Sequence, residues 1–190
     1  MKKFLRPLQI SILAVLLLTN SLTAFATKPV KYSSTEGNYS ITFPGTPEES
    51  SQEIPTDNGS FTLHGTVYKA TENNAFAVAY SDPLEKPVSK KGAYAILAQE
   101  QKGELNTPGT TMDGKDKKNS YKGYPGLYYK TRKDNMYGIT QTYLIKTRLY
   151  QIVITKADKY PTNKEIKAFI GSFKLLNHSP KTQTENIPSI

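Results

Sequence analysis

One short segment, Ala75 to Ser81, has apolar side chains on both of its faces. Phe76, Val78 and Tyr80 share one parity, and three alanines occupy the other. Because successive side chains of a strand point to opposite faces, a strand of this kind needs cover on both sides. We therefore expect it at the centre of a sheet, with an alanine face that a helix can approach closely.

Alternating apolar and polar residues predict further strands on both sides of this segment. Tyr39, Ile41 and Phe43 alternate with polar residues before a Pro44-Gly45 turn. Other strands are predicted within residues 48–54, 61–67, 127–132, 137–145 and 150–154. The last three follow one another closely, which indicates an antiparallel meander.

Two segments have the spacing of amphipathic helices. The first, Ser89 to Leu105, places Tyr94, Leu97, Ala98, Gln101 and Leu105 on one stripe. The second, Thr162 to Leu175, opens with a capping box made by Thr162 and Glu165. Two helices among these strands predict an α+β fold, a mainly antiparallel sheet with helices packed on its faces. Helices on opposite faces would make it an α/β/α sandwich.

The first 26 residues have the organisation of a secretory signal peptide. They comprise the basic residues Lys2, Lys3 and Arg6, an apolar run from Ile10 to Leu18, and Ala24-Phe25-Ala26. The apolar run is too short for a membrane-spanning helix, which needs about 20 residues. We expect cleavage after Ala26 and a soluble protein, periplasmic or extracellular. The chain has no cysteine, so it is not a lipoprotein.

The remaining sequence divides into three parts by composition. Residues 27–36 are polar and are expected to form a flexible mature N terminus. Residues 37–176 carry the patterned segments and are expected to form a single α+β domain. Residues 177–190 contain few apolar side chains, which predicts a disordered tail.

Few residues have the arrangement that catalysis or metal binding requires. The absence of cysteine excludes disulfides, thiolate metal sites and thiol nucleophiles. Neither of the two histidines, His64 in a strand and His178 in the tail, has a triad around it. No metal-ligand motif occurs, so we assign no catalytic residue, metal or cofactor. Asp82 stays open, because an acid after the central strand either caps the turn before Pro83 or acts chemically.

The chain is basic, with a net charge of +9, and one stretch mixes cations with tyrosines. The candidate partner-binding surface consists of Lys115, Lys117, Lys118, Lys122, Lys130 and Arg132. Export argues against nucleic acid as the ligand, so an acidic envelope protein or an anionic envelope surface is the expected partner. The alternative is a strand pair whose tyrosines pack and whose lysines keep the edge soluble.

Several segments in order resemble a known group of proteins. These are residues 37–47, Ala79 to Asp82, Arg148 to Gln151 and Phe169 to Leu176. Together they resemble exported bacterial proteins of the PsbP/Mog1-like superfamily. The resemblance implies an antiparallel sheet sandwiched by helices, and members that act by binding rather than catalysis. No functional residue of those proteins maps onto a position here.

Three functions remain open from the sequence. The first is a non-enzymatic binding or assembly accessory protein of the cell envelope. The second is a carboxylate-dependent envelope enzyme, for example one acting on glycans, with Asp82 as a candidate acid. The third is a structural or stress-related envelope protein, which no sequence feature distinguishes from the first.

Overall fold

The computed structural model describes residues 28–56 and 59–176. The expected signal peptide with its cleavage after Ala26, and the expected disordered tail at 177–190, lie outside the described residues. None of the helices in the described ranges is long and apolar enough to cross a membrane.

The described residues form two antiparallel sheets. In chain order the strands are β1 (Val30–Ser34), β2 (Tyr39–Phe43), β3 (Glu48–Thr56), β4 (Gly59–Thr71), β5 (Asn74–Ser81), β6 (Thr110–Met112), β7 (Lys117–Tyr121), β8 (Tyr124–Lys133), β9 (Met136–Ile145), β10 (Arg148–Ala157) and β11 (Lys174–Leu175). The larger sheet has the order β3-β4-β5-β10-β9-β8-β6, with β7 also paired to β8, and the smaller has the order β1-β2-β11. The α+β class with a mainly antiparallel sheet is therefore confirmed.

The strand with two apolar faces lies inside the large sheet, as expected. β5 is flanked by β4 and β10, and its residues from Ala75 to Ser81 are all buried. Its alanines pack with Leu63, Val67 and Val153 from the neighbouring strands. The first helix packs mainly on other strands, and its Glu100 lines a small cavity beside Ala79. The alanine face is covered instead by the larger side chains of β4 and β10.

The first predicted helix is confirmed as α1 (Lys90–Leu105), with Ser89 as its N-cap. The helix packs over β8 and β9, where Ala93 and Leu97 contact Leu127, Tyr129 and Leu144. The buried stripe is rotated from the predicted one. Ala98 is exposed, and Glu100 is buried in its place.

The second predicted helix is shorter than expected. α2 (Asn163–Phe169) begins with the predicted capping box. It ends after seven residues, where a 3-10 turn at Ile170–Ser172 follows. The segment then becomes β11, because its backbone pairs with β2. Phe173 was expected on the helix, and it still packs in the core from the connecting segment.

The small sheet and α2 pack together against strands of the large sheet. Tyr39, Ile41 and Phe43 of β2 pack with Phe169 and Phe173 against the aromatic and aliphatic side chains of β5 and β10. β1 occupies part of residues 27–36, so the expectation of a flexible segment there is wrong from Val30 onward. Tyr32 explains the difference, since its ring lies 6.0 Å from those of both Tyr39 and Phe43.

The capping box of α2 is tied to the large sheet by an ion pair. Lys156 Nζ lies 2.6 Å from Glu165 Oε1, and the Thr162 backbone N–H donates to Glu165 Oε2 at 2.7 Å. Burial alone would raise the pKa of Glu165, but hydrogen bonds from Lys156 and Thr162 outweigh it and lower the pKa to about 2. The ionised form is therefore the one that stabilises the fold.

Glu165→Gln is expected to cost about 1–2 kcal/mol of unfolding free energy at pH 7, a figure reduced for partial exposure. The folded pKa lies below the ordinary 4.5, so this contribution is present above pH 4.5 and is lost as the pH falls towards 2. Urea unfolding midpoints at pH 7 and pH 3 measure the change. If the difference in urea midpoint between Glu165→Gln and the wild type is the same at both pH values, the ionised Glu165 does not stabilise the fold as described. Lys164→Gln, at an exposed residue, is the control.

Candidate binding groove at three tight turns

Three tight turns converge at one end of the large sheet. Each contains a non-glycine residue in the left-handed region, namely Asn38 with φ 53°, Lys122 with φ 49° and Lys146 with φ 59°. Between these turns lies a groove of about 730 Å³. We call it the turn groove, and it is lined by Asn38, Asp82, Lys122, Tyr124, Ile145, Lys146, Thr147, Arg148, Tyr150, Leu175 and Leu176.

The two lysines are unusual residues for their positions. Two-residue hairpin turns with positive φ favour glycine, asparagine and aspartate, because a Cβ is strained there. Holding a lysine in this conformation costs about 1 kcal/mol or more. Gly123, which follows Lys122, also has a positive φ, of 84°. A turn with two such residues matches the right-handed twist of the strands that it connects. The result is that two ammonium groups are carried on short, rigid turns beside the same groove.

We call the exposed lysines of the turn groove its rim, and the buried or half-buried apolar side chains that line it its floor. Three cations, Lys122, Lys146 and Arg148, line the groove together with one carboxylate, that of Asp82. Within residues 28–56 and 59–176, neither lysine forms an ion pair with an acidic side chain. The floor is provided by side chains such as Ile145 and Leu175. A groove of this kind matches an anionic ligand that also has an apolar part.

Arg148 fixes one wall of the groove. Its Nε donates to Asp82 Oδ1 at 2.8 Å and its Nη2 to Asp82 Oδ2 at 2.5 Å, while Nη1 donates to the Glu36 carbonyl at 2.5 Å. The hydrogen bond with Asp82 raises the pKa of Arg148 above its ordinary value, against the opposing effect of burial. Asp82, the acid left open by the sequence, is thus the partner of a permanent cation. This clamp also holds the β1–β2 turn against the large sheet.

An aromatic stack supports the clamp from below. The guanidinium of Arg148 lies 4.7 Å from the centre of the Tyr80 ring, and the ring of His64 stacks on Tyr80 at 4.6 Å with planes 6° apart. His64 Nε2 is 3.6 Å from Glu36 Oε1. His64 and Tyr80 are paired across β4 and β5, so the imidazole lies on a partly covered face of the large sheet. The His64 ring packs on Tyr80, and the His64 side chain is 28% exposed.

The predicted cationic surface is distributed over several places. Lys118 lies over the Tyr94 ring at 5.0 Å, Lys130 over Tyr160 at 4.9 Å, and Arg132 over Tyr137 at 5.3 Å. Lys122 belongs to the turn groove, Lys117 is exposed on β7, and Lys115 is exposed in the loop before it. Lys130 and Arg132 share one cluster, because the Tyr137 and Tyr160 rings meet edge to face at 4.9 Å.

Sequence reasoning missed Asn38, Lys146 and Arg148 as site residues. A signal for Lys146 was present, since Lys146-Thr147, like Lys122-Gly123, is a two-residue link between consecutive alternating segments. Arg148 appeared in a segment that carried the family resemblance, without a role. The convergence of the three turns depends on the packing of three hairpins, which local patterns do not report.

Two carboxyl groups lie away from the groove, beneath α1. Glu104 accepts hydrogen bonds from the hydroxyls of Tyr129 at 2.8 Å, Thr131 at 3.0 Å and Thr140 at 3.4 Å. Burial raises the pKa of Glu104 and raises that of Glu100 to about 8. The cavity beside Glu100 has a volume of about 10 Å³, close to the minimum for one water molecule. This space does not admit a substrate.

A metal site would need several ligands brought together. In the part of the chain that the structure describes, no group of three or more histidine, cysteine or acidic side chains has that arrangement.

No family model matches this chain, and no curated protein matches it. Among solved structures, the chain is similar to cyanobacterial PsbP (CyanoP) from Synechocystis sp. PCC 6803, with a TM-score of 0.49 and 12% sequence identity. The likeness covers 84% of this chain and 98% of that chain.

Proposed function

We propose that this chain is a non-enzymatic binding or assembly protein of the bacterial cell envelope, and that its turn groove holds an acidic segment of a partner protein. The observation that carries the proposal is the pair Lys122 and Lys146. Both lysines are held in a strained backbone conformation, and neither forms an ion pair with an acid of the described residues. Strain of this kind persists where the surrounding structure or a function maintains it.

The groove chemistry favours a peptide over a simple ion. Rim lysines attract carboxylates, but an exposed ion pair contributes only about 0.2–1 kcal/mol. Apolar side chains on the floor, among them Ile145 and Leu175, supply the further burial that affinity requires. An acidic segment with an apolar residue between its carboxylates satisfies both parts, and its binding weakens as salt rises.

The envelope location and the layer arrangement belong to the same proposal. Export follows from the signal peptide expected before Thr27, and the partner is then another envelope protein. In the proposed α/β/α sandwich, α1 lies on one face of the large sheet, while α2 and the small sheet lie on the other. Asp82 pairs with Arg148, and Glu100 and Glu104 lie beneath α1, so these acids do not oppose each other across a cleft as glycosidase carboxylates do.

The double variant Lys122→Glu/Lys146→Glu tests the groove. Wild-type protein should capture an acidic envelope protein from extract in low salt, and the double variant should lose at least about tenfold in affinity, as expected for two reversed ion pairs. Lys159→Glu/Lys164→Glu makes the same change of charge at exposed residues away from the groove and should bind like wild type. The captured protein, once identified by mass spectrometry, is titrated against all three forms.

Two results would count against this function. Equal binding by the wild type and the groove variant would remove the turn groove as the site. Binding of the wild type to phosphatidylglycerol vesicles, with no protein captured, would favour the anionic envelope surface as the ligand instead of a protein.

A further inference from the structure

The large sheet ends in two strands of opposite charge. β3 forms one end, and it carries Glu48, Glu49 and Glu53 without a lysine or arginine. At the other end, β7 pairs with β8 and carries Lys117 and Lys118, with Lys115 just before the strand. The side chains of Glu48, Glu49, Glu53, Lys117 and Lys118 are exposed, and so are most of the other residues of β3. The sheet is therefore polarised from one edge to the other.

Both outer edges are open among the residues that the structure describes. β3 pairs with β4 alone over nine residues, and β7 pairs with β8 alone over five. At β7 one carbonyl, that of Asn119, also accepts a hydrogen bond from Tyr94 of α1 at 3.1 Å. A terminal strand offers its remaining N–H and C=O groups to a further strand, and proteins commonly block this with charge of one sign.

We propose that the acidic β3 edge of one molecule docks against the basic β7 edge of a second copy of the same chain. Charge complementarity is the argument, because each molecule supplies both the acidic and the basic edge. Two β3 edges repel one another, and so do two β7 edges, which disfavours a symmetric edge-to-edge dimer. These residues are distinct from the turn groove, so the inference goes beyond the function proposed above.

The topology determines what kind of assembly results. Every pair of neighbours from β3 to β7 is antiparallel, and an even number of steps separates the two strands, so β3 and β7 run in the same direction. Contact between two different edges is heterologous, and unless it closes into a ring it continues from copy to copy. The expected product is a concentration-dependent series of oligomers rather than a dimer alone.

Sedimentation velocity of the purified protein tests the association directly. In about 20 mM salt the weight-average mass should rise with concentration, and in about 500 mM salt it should return to that of the monomer, because the Debye length falls below the reach of these ion pairs. The control Lys159→Glu/Lys164→Glu should associate like the wild type. Circular dichroism and thermal melts of each variant establish that it is folded.

A charge exchange supplies the decisive comparison. Glu48→Lys/Glu53→Lys makes both edges basic, and Lys117→Glu/Lys118→Glu makes both acidic, so each variant alone should stay monomeric in low salt. An equimolar mixture of the two should associate again, since every contact then joins opposite charges. A wild type that remains monomeric at about 1 mM protein in low salt would overturn the proposal, and so would folded variants whose mixture does not associate.

Discussion

Replacing Glu100 with glutamine is expected to stabilise the protein by about 3 kcal/mol at pH 9 and to change its stability little at pH 4. The Glu100 side chain is buried under α1, and the residue is 3% exposed. Gln151 Nε2 at 3.3 Å is its hydrogen-bond partner, and the adjoining cavity is lined mainly by Leu63, Ala79 and Leu149. A neutral amide of the same shape keeps the packing without a group that ionises.

The sign of the pH dependence follows from the direction of the pKa shift. Burial raises the pKa of Glu100 from the ordinary 4.5 to about 8 in the folded protein. Between those values the unfolded chain releases a proton that the folded protein retains, so the folded state loses stability as the pH rises. The loss begins above pH 4.5 and levels off above pH 8. The full shift corresponds to about 5 kcal/mol, and local relaxation reduces this to the smaller value expected.

Urea unfolding at pH 4, 6, 8 and 9 measures this effect. The midpoint of the wild type should fall over the series relative to that of Glu100→Gln, and the exposed Glu85→Gln should follow the wild type. If the wild type and Glu100→Gln have the same difference in midpoint at pH 4 and pH 9, the carboxyl does not titrate as described.

Replacing Gly37 with alanine is expected to cost about 2–3 kcal/mol, as overpacking of a tight contact does. A Cβ at this position would lie 2.6 Å from Tyr39 Cε1, 2.7 Å from Tyr80 Cε1 and 2.8 Å from Ser34 Oγ. The Gly37 carbonyl also accepts the Tyr150 hydroxyl at 2.8 Å. The β1–β2 turn cannot retreat without losing this bond, so the rings of Tyr39 and Tyr80 must move.

The matched control for this variant is Gly171→Ala. A Cβ there meets Lys167 Cγ at 3.7 Å, which is ordinary contact, so its unfolding free energy should stay close to that of the wild type. Urea midpoints compare the two variants, and fluorescence of the tyrosines reports whether the stack has shifted. A Gly37→Ala variant as stable as Gly171→Ala would show that the turn is not packed this closely.

The parts of the fold that were predictable are those in which one local signal dominates. The apolar residues on both faces of β5 predict a buried strand, and the capping box at Thr162 predicts a helix start. Each depends on residues close together in the sequence, and both predictions are confirmed. The end of α2 was wrong because β11 gains backbone pairing with β2 from a distant part of the chain. β1 was missed because its polar sequence is held by Tyr32 packing on β2 rather than by alternation of its own.

The site was less predictable, because its residues come from separate turns. Lys122 was included in the predicted surface for its charge, but its partner in the groove, Lys146, lies in another hairpin. Glu100 was left out of the buried stripe of α1, since an ionised acid is costly to bury. Its raised pKa resolves this, because the protonated carboxyl is a neutral group.

The pairing of β2 with β11 joins two segments that lie far apart in the described chain. Leu176 donates its backbone N–H to the Asn38 carbonyl at 3.1 Å, so the second and last strands described here are held together at this end as well. β5 likewise needs β10, which is made much later during synthesis. A partly synthesised chain ending before Arg148 has neither partner, so we expect completion of the fold to follow the synthesis of these late segments.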